Sequence, residues 1–549
     1  MTQHYARVYL EKTPQWYDND RARAIVDAYN KGAGSSQPAD EFLACSLVPA
    51  ATGSFRDFSY IAPDLPEYTA ESCVACMECV QNCPDSAIWG KVITPEEVER
   101  KLAAAESDTA REIIRGQLAQ TTKFWKTYET KKAKDPSSPG GGYFGIFIDP
   151  TKCKGCGECV VACGEHESLK MIKKTRDNLP GYFNLWEFFK TTPPTPPAYI
   201  NSRLKVDLML REEANQFVGG GGSCMGCGEA SSIRQLLTMV YEKVQHRYGV
   251  VAATGCNTVF GSTYPYNPYR APWTNSLFEN APTVAMGIRA MWDQTERQDH
   301  HILVLGGDGA MLDIGFQALS RMLSSGMNIK AFVLDTQVYS NTGGQASTAT
   351  FLGQNAKMSV HGKKIQGKQE RRKEIANIAM MHPYTFVAQT VGPMINHFYK
   401  AVEQALDFDG PALINIYTTC QPEHQVADDA SVRQAILAVE SRAFPVFVYH
   451  PNAGPTLASR LSLQGNPSIN RDWHRRKNRD GSEEIVDFVT FASTEGRFQN
   501  HFKDGEVSET LRRSQVDRLE NWRLLQQLAG VRNNDLDQEL ANAKSAKSA

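Results

Sequence analysis

The chain has 549 residues and a net charge of −2, long enough for several domains with ample core and without the bulk field that would select nucleic acid or an anionic membrane. No apolar stretch approaches the roughly 18 residues of a transmembrane helix, and the polar opening MTQHYARVYLEKT lacks the apolar centre of a signal peptide, so a cytoplasmic location is expected. The 13 cysteines gather in CxxC runs, which in a long, unexported chain reads as metal binding rather than a disulfide framework.

Residues 1–60 carry no recognisable chemistry. A helical pattern surrounds Arg21–Tyr29, the rest reads as a connecting segment, and the odd cysteine, Cys45, reads as a small buried hydrophobe. Residues 61–190 hold two four-cysteine runs. Cys73, Cys76, Cys79 and Cys83, followed by Pro84, form the C-x2-C-x2-C-x3-C-P run that in bacterial ferredoxins places thiolates around a 4Fe–4S cube. A zinc site would need only four cysteines and rarely sets three so close together. Cys153, Cys156, Cys159 and Cys163 repeat the run, with Gly164 where proline is usual. In two-cluster ferredoxins the fourth cysteine of each run serves the other cluster. That rule groups Cys73, Cys76, Cys79 and Cys163 on one cube and Cys153, Cys156, Cys159 and Cys83 on the other.

Between the runs lies an insertion, residues 91–142. Thr94-Pro95-Glu96-Glu97 is a helix start with capping threonine and proline at the first position. One or two helices are expected to about Lys132, then a loop over 135–142. The insertion either braces the clusters or is a hairpin with no role.

Thr191 to Pro197 (TTPPTPP) favours extended conformation and marks a boundary, opening an α/β domain over 191–440. Gly219–Gly222 read as a close-approach loop, because Cys224-Met-Gly-Cys227-Gly-Glu229 follows directly. A lone CxxC is equally half a zinc site or a redox pair. Two further cysteines end strand-like segments: Cys256 after Val250–Thr254 and Cys420 after Ala412–Tyr417. Within His301–Gln345, Ile302–Leu305 reads as a buried parallel strand ending in Gly306-Gly307-Asp308-Gly309. A helical pattern follows through Leu312, Phe316, Leu319 and Met322, closed by Gly326. A second buried strand, Ala331–Leu334, leads into Asp335 and Thr336. Ligands of open α/β sheets bind at the carboxyl ends of strands, and Asp308 offers hard oxygen to Mg²⁺.

The GDG turn, Thr336 28 positions after Asp308 (336 − 308), and VYSNTGG together resemble the thiamine diphosphate motif of the 2-oxoacid:ferredoxin oxidoreductases, pyruvate:ferredoxin oxidoreductase most closely. The resemblance covers roughly residues 65–450 and implies three 4Fe–4S clusters, thiamine diphosphate and Mg²⁺ as cofactors. It implies a proximal cluster on Cys224, Cys227, Cys256 and Cys420, and Mg²⁺ on Asp308, Thr336 and the Val338 carbonyl. Glu229, Cys256 and the backbone Gly307, Asp308, Gly309 and Ala310 would contact the coenzyme, and Asn341 would face the reacting centre as the catalytic residue. Ala310 stands where a large aromatic is expected and Gln337 where glutamate is usual.

Only the diphosphate half of a thiamine site is present. The resemblance therefore implies the β subunit of a split enzyme, its α subunit supplying the pyrimidine-binding domain and substrate residues. The implied reaction is the oxidative decarboxylation of pyruvate to acetyl-CoA and CO₂, with electrons leaving through the clusters to ferredoxin or flavodoxin; low-potential clusters would also permit the reverse direction. Alternatives are the same mechanism on 2-oxoglutarate or indolepyruvate, and an electron-transfer subunit only. No nucleic-acid or membrane partner is expected.

The basic run Lys363, Lys364, Lys368, Arg371, Arg372 and Lys373 reads first as a solvated helix face, with coenzyme A phosphates or an acidic ferredoxin as the other readings. Residues 441–549 form an extension: Phe444–Tyr449 is strand-like, and Leu511, Val516, Leu519, Trp522 and Leu525 suggest an amphipathic helix before a disordered KSAKSA end. The expected fold is thus α/β, a thiamine diphosphate-binding parallel sheet flanked by helices, with an inserted α+β two-cluster ferredoxin-like domain on its N-terminal side.

Overall fold

The structure, a computed structural model, describes residues 19–44, 46–478 and 480–531. The polar opening, Cys45 and the KSAKSA end lie outside the described residues. The chain divides into two compact units. Among the described residues, the first comprises those up to 249 with 256–273 and 427–432; the second comprises 250–255, 274–426 and those from 433 to 531.

In the first unit, the helical pattern near the start is the helix Asn19–Asn30. Two antiparallel strand pairs follow, nested in sequence. β1 (Asp64–Tyr68) pairs with β4 (Leu169–Lys173), and β2 (Ile88–Ile93) pairs with β3 (Tyr143–Ile148). Each cysteine run lies between one strand of each pair: the first between β1 and β2, the second between β3 and β4. The insertion is helical at Pro95–Ala103, Asp108–Gly116 and Thr127–Lys134. Its start is capped as the sequence suggests, the Glu97 N–H donating to Thr94 Oγ1 at 3.3 Å. Phe124 and Tyr128 of the insertion enter the same core as Cys79, Cys83 and Cys163. Lys123 Nζ donates to the Ala75 carbonyl at 3.1 Å, inside the first cysteine run. Beyond the helix Leu179–Thr191, the proline-rich segment packs against β2, with the Val92 N–H donating to Thr195 Oγ1 at 3.0 Å.

The second unit is built on an eight-stranded sheet. β5 (Tyr248–Ala253), β6 (Trp273–Ser276), β7 (His301–Gly307), β8 (Ile329–Asp335), β9 (Phe386–Val391), β10 (Ala412–Tyr417), β11 (Phe447–Tyr449) and β12 (Leu461–Ser462) lie in the order β12-β11-β9-β10-β8-β7-β5-β6. The centre is parallel, β7 with β8, β8 with β10 and β10 with β9, while β11 and β12 join antiparallel at one edge. Central strands read as unbroken apolar runs because both faces are covered; all six residues of β10 are buried. Register aligns Gly307 with Leu334, and Asp335 with Tyr417. The carboxyl ends of β7, β8 and β10 therefore open at one sheet edge.

Three expectations are corrected. The strand expected over Phe444–Tyr449 shortens to Phe447–Tyr449, since Pro445 has no N–H to give a ladder and the Val446 N–H donates instead to Asn466 Oδ1 at 3.0 Å. The basic run is not a solvated helix face: Arg372 and Lys368 are buried, and a helix begins only at Ile375. The final helix, Glu509–Leu528, buries Leu511, Ser514, Arg518, Trp522 and Leu525, whereas Val516 is exposed. The buried stripe includes Arg518 because Asp517 and Glu374 pair with it at 2.6 and 2.5 Å. Among the described residues no helix is long and apolar enough to cross a membrane.

Candidate functional site: an oxygen cage and three cysteine groups

Asp308 follows the last residue of β7 and is buried, as is Thr336 just past β8. The Thr336 N–H and Oγ1 each donate to Asp308 Oδ1 at 3.1 Å, and the same hydroxyl reaches the Val338 carbonyl at 3.0 Å. The Thr336 hydroxyl thus lies about 3 Å from both a carboxylate and a carbonyl oxygen, each separation roughly the edge of a Mg²⁺ octahedron with arms of about 2.1 Å. The donor set is hard oxygen throughout and fits that cation. Burial, followed by repulsion from Asp335, pushes the Asp308 carboxyl up to about 7, against a hydrogen bond from Ser347 Oγ to Asp308 Oδ2 at 2.5 Å. A cation would reverse that shift. A Cβ added at Gly307 would find only the Leu334 carbonyl, at 3.9 Å, so backbone is open there for a phosphate group. Ala310 is buried, and Asn341 is exposed on the turn after Val338.

Beneath the cage lies a buried polar network. Asp335 pairs with Arg372, and Asn415 Nδ2 donates to Asp335 Oδ2 at 3.2 Å. Gln337 Nε2 donates to Asp335 Oδ1 at 3.1 Å while its Oε1 accepts from Arg497 Nη1 at 3.1 Å. An amide satisfies both contacts; a glutamate here would face Asp335 carboxylate to carboxylate. Lys368 Nζ donates to the carbonyls of Ser347, Thr348 and Thr350. Lys368, Arg371, Arg372 and Lys373 line a cavity of about 940 Å³ beside Ser347 and Tyr339. His424, whose Nε2 lies 2.9 Å from the Thr336 carbonyl, belongs to no motif, and Ser347 lies in the VYSNTGGQASTAT run of 338–350 without being singled out there; their position in space reveals their roles.

The cysteine runs have the same local geometry. Ala75 and Met77 take φ of 61° and 69°, and Gly155 and Gly157, at the matching positions, take 79° and 88°. These left-handed turns curl each run so that its backbone N–H groups face its own sulfurs: Ala75 and Glu78 serve Cys73 and Cys76, and Gly155 and Glu158 serve Cys153 and Cys156. The fourth cysteines match as well, Cys83 Sγ accepting from Ala87 N and Cys163 Sγ from Ser168 N, both at 3.3 Å. Gly164 has φ of +55°, a conformation closed to proline, which accounts for its departure from the usual run.

Electrostatic neighbours sort the thiols. Cys79 is pushed well up by burial, then by Cys76, Cys73 and Cys163. Cys153 is pushed up to about 12 by burial and then by Cys83, which also repels Cys156 and Cys159. Thiols so crowded and so reluctant to ionise suit a cationic cluster that stabilises thiolate. Among the described residues no three His, Cys, Asp or Glu side chains could share a single metal ion; a cube asks less, since each thiolate binds its own iron. A third group forms in the first unit, where Cys227 is raised by burial and then by Glu229, Cys256 and Cys224. Cys420 belongs to the second unit and caps the helix Gln421–His424.

None of the described cysteines is in a disulfide. Residues 253–416 match the thiamine pyrophosphate enzyme family, C-terminal TPP binding domain. The chain is similar to pyruvate synthase subunit PorB of Pyrococcus furiosus, 32% identical over 314 residues, which is 56% of this chain and 92% of that protein. It is 26% identical over 597 residues to the pyruvate-flavodoxin oxidoreductase of Rhodospirillum rubrum, covering 93% of this chain and 45% of that one. It is also 26% identical over 507 residues to the pyruvate:ferredoxin oxidoreductase of Moorella thermoacetica, covering 78% of this chain and 40% of that one. The chain thus spans less than half the length of these longer relatives.

Proposed function

From the premise that the chain belongs to the 2-oxoacid:ferredoxin oxidoreductase family, alongside PorB, we propose that it is the β subunit of a split pyruvate:ferredoxin oxidoreductase. The complete enzyme would convert pyruvate and coenzyme A to acetyl-CoA and CO₂, with electrons leaving for ferredoxin or flavodoxin. The observation that carries this reading is the hydrogen-bonded oxygen set of Asp308, Thr336 and Val338 on a chain that also holds two four-cysteine runs of matching local geometry.

Thiamine diphosphate would supply the electron sink for decarboxylation; the protein orients and sets the field. Asp308, Thr336 Oγ1 and the Val338 carbonyl would hold Mg²⁺, and the backbone at Gly307, Gly309 and Ala310 would hold the diphosphate. By the family resemblance Glu229 and Cys256 would contact the coenzyme, and Asn341 would serve at the reacting centre. Cys73, Cys76, Cys79 and Cys163 hold one 4Fe–4S cluster; Cys153, Cys156, Cys159 and Cys83 hold the second. Cys224, Cys227, Cys256 and Cys420 hold the third. Residues 61–190 form the two-cluster module and 191–440 the thiamine domain. The α subunit supplies the pyrimidine-binding half and the substrate residues. Two readings stand beside this one: the same chemistry on 2-oxoglutarate or indolepyruvate, and electron transfer alone. Retention of the complete oxygen cage favours an enzyme over a relay.

The test is anaerobic co-purification with the partner subunit and assay of a panel of 2-oxoacids with coenzyme A and ferredoxin or viologen. Pyruvate turns over fastest in the complex and the chain alone is inactive. Turnover by the chain alone overturns the split-subunit reading, and preference for another acid overturns the substrate.

A further inference from the structure

Three cysteine-bearing segments of the first unit meet on one ammonium group. Lys154, between Cys153 and Cys156, is buried with its Nζ 2.7 Å from Oδ1 of Asp85, which follows Cys83 and Pro84; both side chains are only 5% exposed. The same Nζ donates to the carbonyls of Gly221 and Ser223 at 3.0 and 2.7 Å, and to Ser223 Oγ at 3.2 Å. Ser223 directly precedes Cys224, and its hydroxyl contacts Asp85 Oδ1 at 3.4 Å. The glycine loop lets these segments close: a Cβ on Gly219 would lie 2.3 Å from the Asp85 carbonyl.

We propose that the Lys154–Asp85 pair is the junction between the Cys224 group and the Cys83/Cys153/Cys156/Cys159 group, with Lys154 a positioning residue whose charge raises the reduction potential of the Cys224 cluster and Asp85 lowering that of its neighbour. The proposal rests on the three-cluster reading above. Taking two charges out of water is costly, and the energy is recovered here only because each is paired and further hydrogen-bonded. A core needing rigidity alone would be served by apolar residues of similar volume. Reduction adds negative charge to a cluster, so a nearby fixed cation favours it and a nearby anion opposes it. The geometry divides the charges accordingly: Lys154 Nζ reaches the carbonyl and hydroxyl of Ser223, the residue before Cys224, while Asp85 lies two residues after Cys83.

The complex, purified anaerobically with its partner as wild type, Lys154→Met, Lys154→Arg and Asp85→Asn, would be titrated electrochemically and followed by electron paramagnetic resonance. A Cys224→Ser variant identifies the signal of that cluster. Lys154→Met shifts the midpoint of that cluster downward, Lys154→Arg restores it, and Asp85→Asn shifts the Cys83-side cluster upward. Unchanged midpoints in Lys154→Met with all clusters present overturn the proposal. Should Lys154→Met fail to assemble, Asp85→Asn decides, and an unchanged Cys83-side midpoint overturns it equally. A wild-type complex with fewer than three clusters removes instead the functional reading beneath it.

Discussion

His424 connects two parts of the site that sequence spacing keeps apart. Its Nε2–H donates to the Thr336 carbonyl at 2.9 Å and its Nδ1 accepts from the Cys420 N–H at 3.4 Å. Burial, then the neighbouring Arg497 charge, push its imidazole well below the usual range, so it stays neutral with one donor and one acceptor nitrogen. Groups that orient a metal ligand typically change affinity by about 10–100-fold when removed. His424→Phe, of similar volume, should therefore weaken Mg²⁺-dependent thiamine diphosphate binding to the complex by about that factor, measured by fluorescence titration; an unchanged affinity assigns His424 to packing. At this scale the sequence showed what was local. The cage trio was legible because Asp308 lies at one strand end and Thr336 and Val338 at the next. Ser347 and His424 reach Asp308 and Thr336 from a loop and a short helix, and Arg372 reaches the neighbouring Asp335; no period or spacing encodes such convergence.

Buried strands were the most legible elements, since β8 and β10 are largely apolar runs, β10 broken only by the buried Asn415. Lys330 is the exception within β8: it is buried, and its Nζ donates to the carbonyls of Phe408 and Gly410 at 2.5 and 2.7 Å. Burial outweighs Asp409 and Asp407 and lowers its pKa to about 7. The native state then binds fewer protons than the unfolded chain between about pH 7 and the ordinary lysine value, so this residue makes stability rise with pH across that window. Lys330→Met should flatten the slope of Tm against pH between 7 and 9 in thermal melts, and an unchanged slope contradicts the assignment. The last helix was legible in extent and in most of its facing, Leu511, Trp522 and Leu525 being buried, but Val516 is exposed and a paired arginine, Arg518, occupies a buried position that an apolar pattern leaves to solvent. Trp522 is fully buried, with Nε1 donating to the Arg471 carbonyl at 2.8 Å. Trp522→Ala should cost about 3–5 kcal/mol and Val516→Ala less than about 0.5 kcal/mol in denaturant unfolding. Equal costs would mean that the helix faces the other way.

Across the whole molecule, the cysteine spacing foretold two runs of matching local geometry and the strand-end motif foretold the oxygen ligands beside β7 and β8. The runs were legible because cluster binding would fix ligand spacing within a few residues. The grouping of Cys224 and Cys227 with Cys256 was less so, since those residues are joined only through the fold. What the chain does as part of an assembly turns on whether electrons released at the thiamine site enter its clusters. The most direct measurement compares wild-type and Asp308→Ala complexes, purified anaerobically and mixed with pyruvate and coenzyme A, by electron paramagnetic resonance of the reduced clusters. Three 4Fe–4S clusters require about twelve iron atoms per chain in both proteins. The account predicts substrate-driven cluster reduction in wild type and none in Asp308→Ala, although dithionite still reduces the variant. Equal reduction of both proteins by substrate would contradict it.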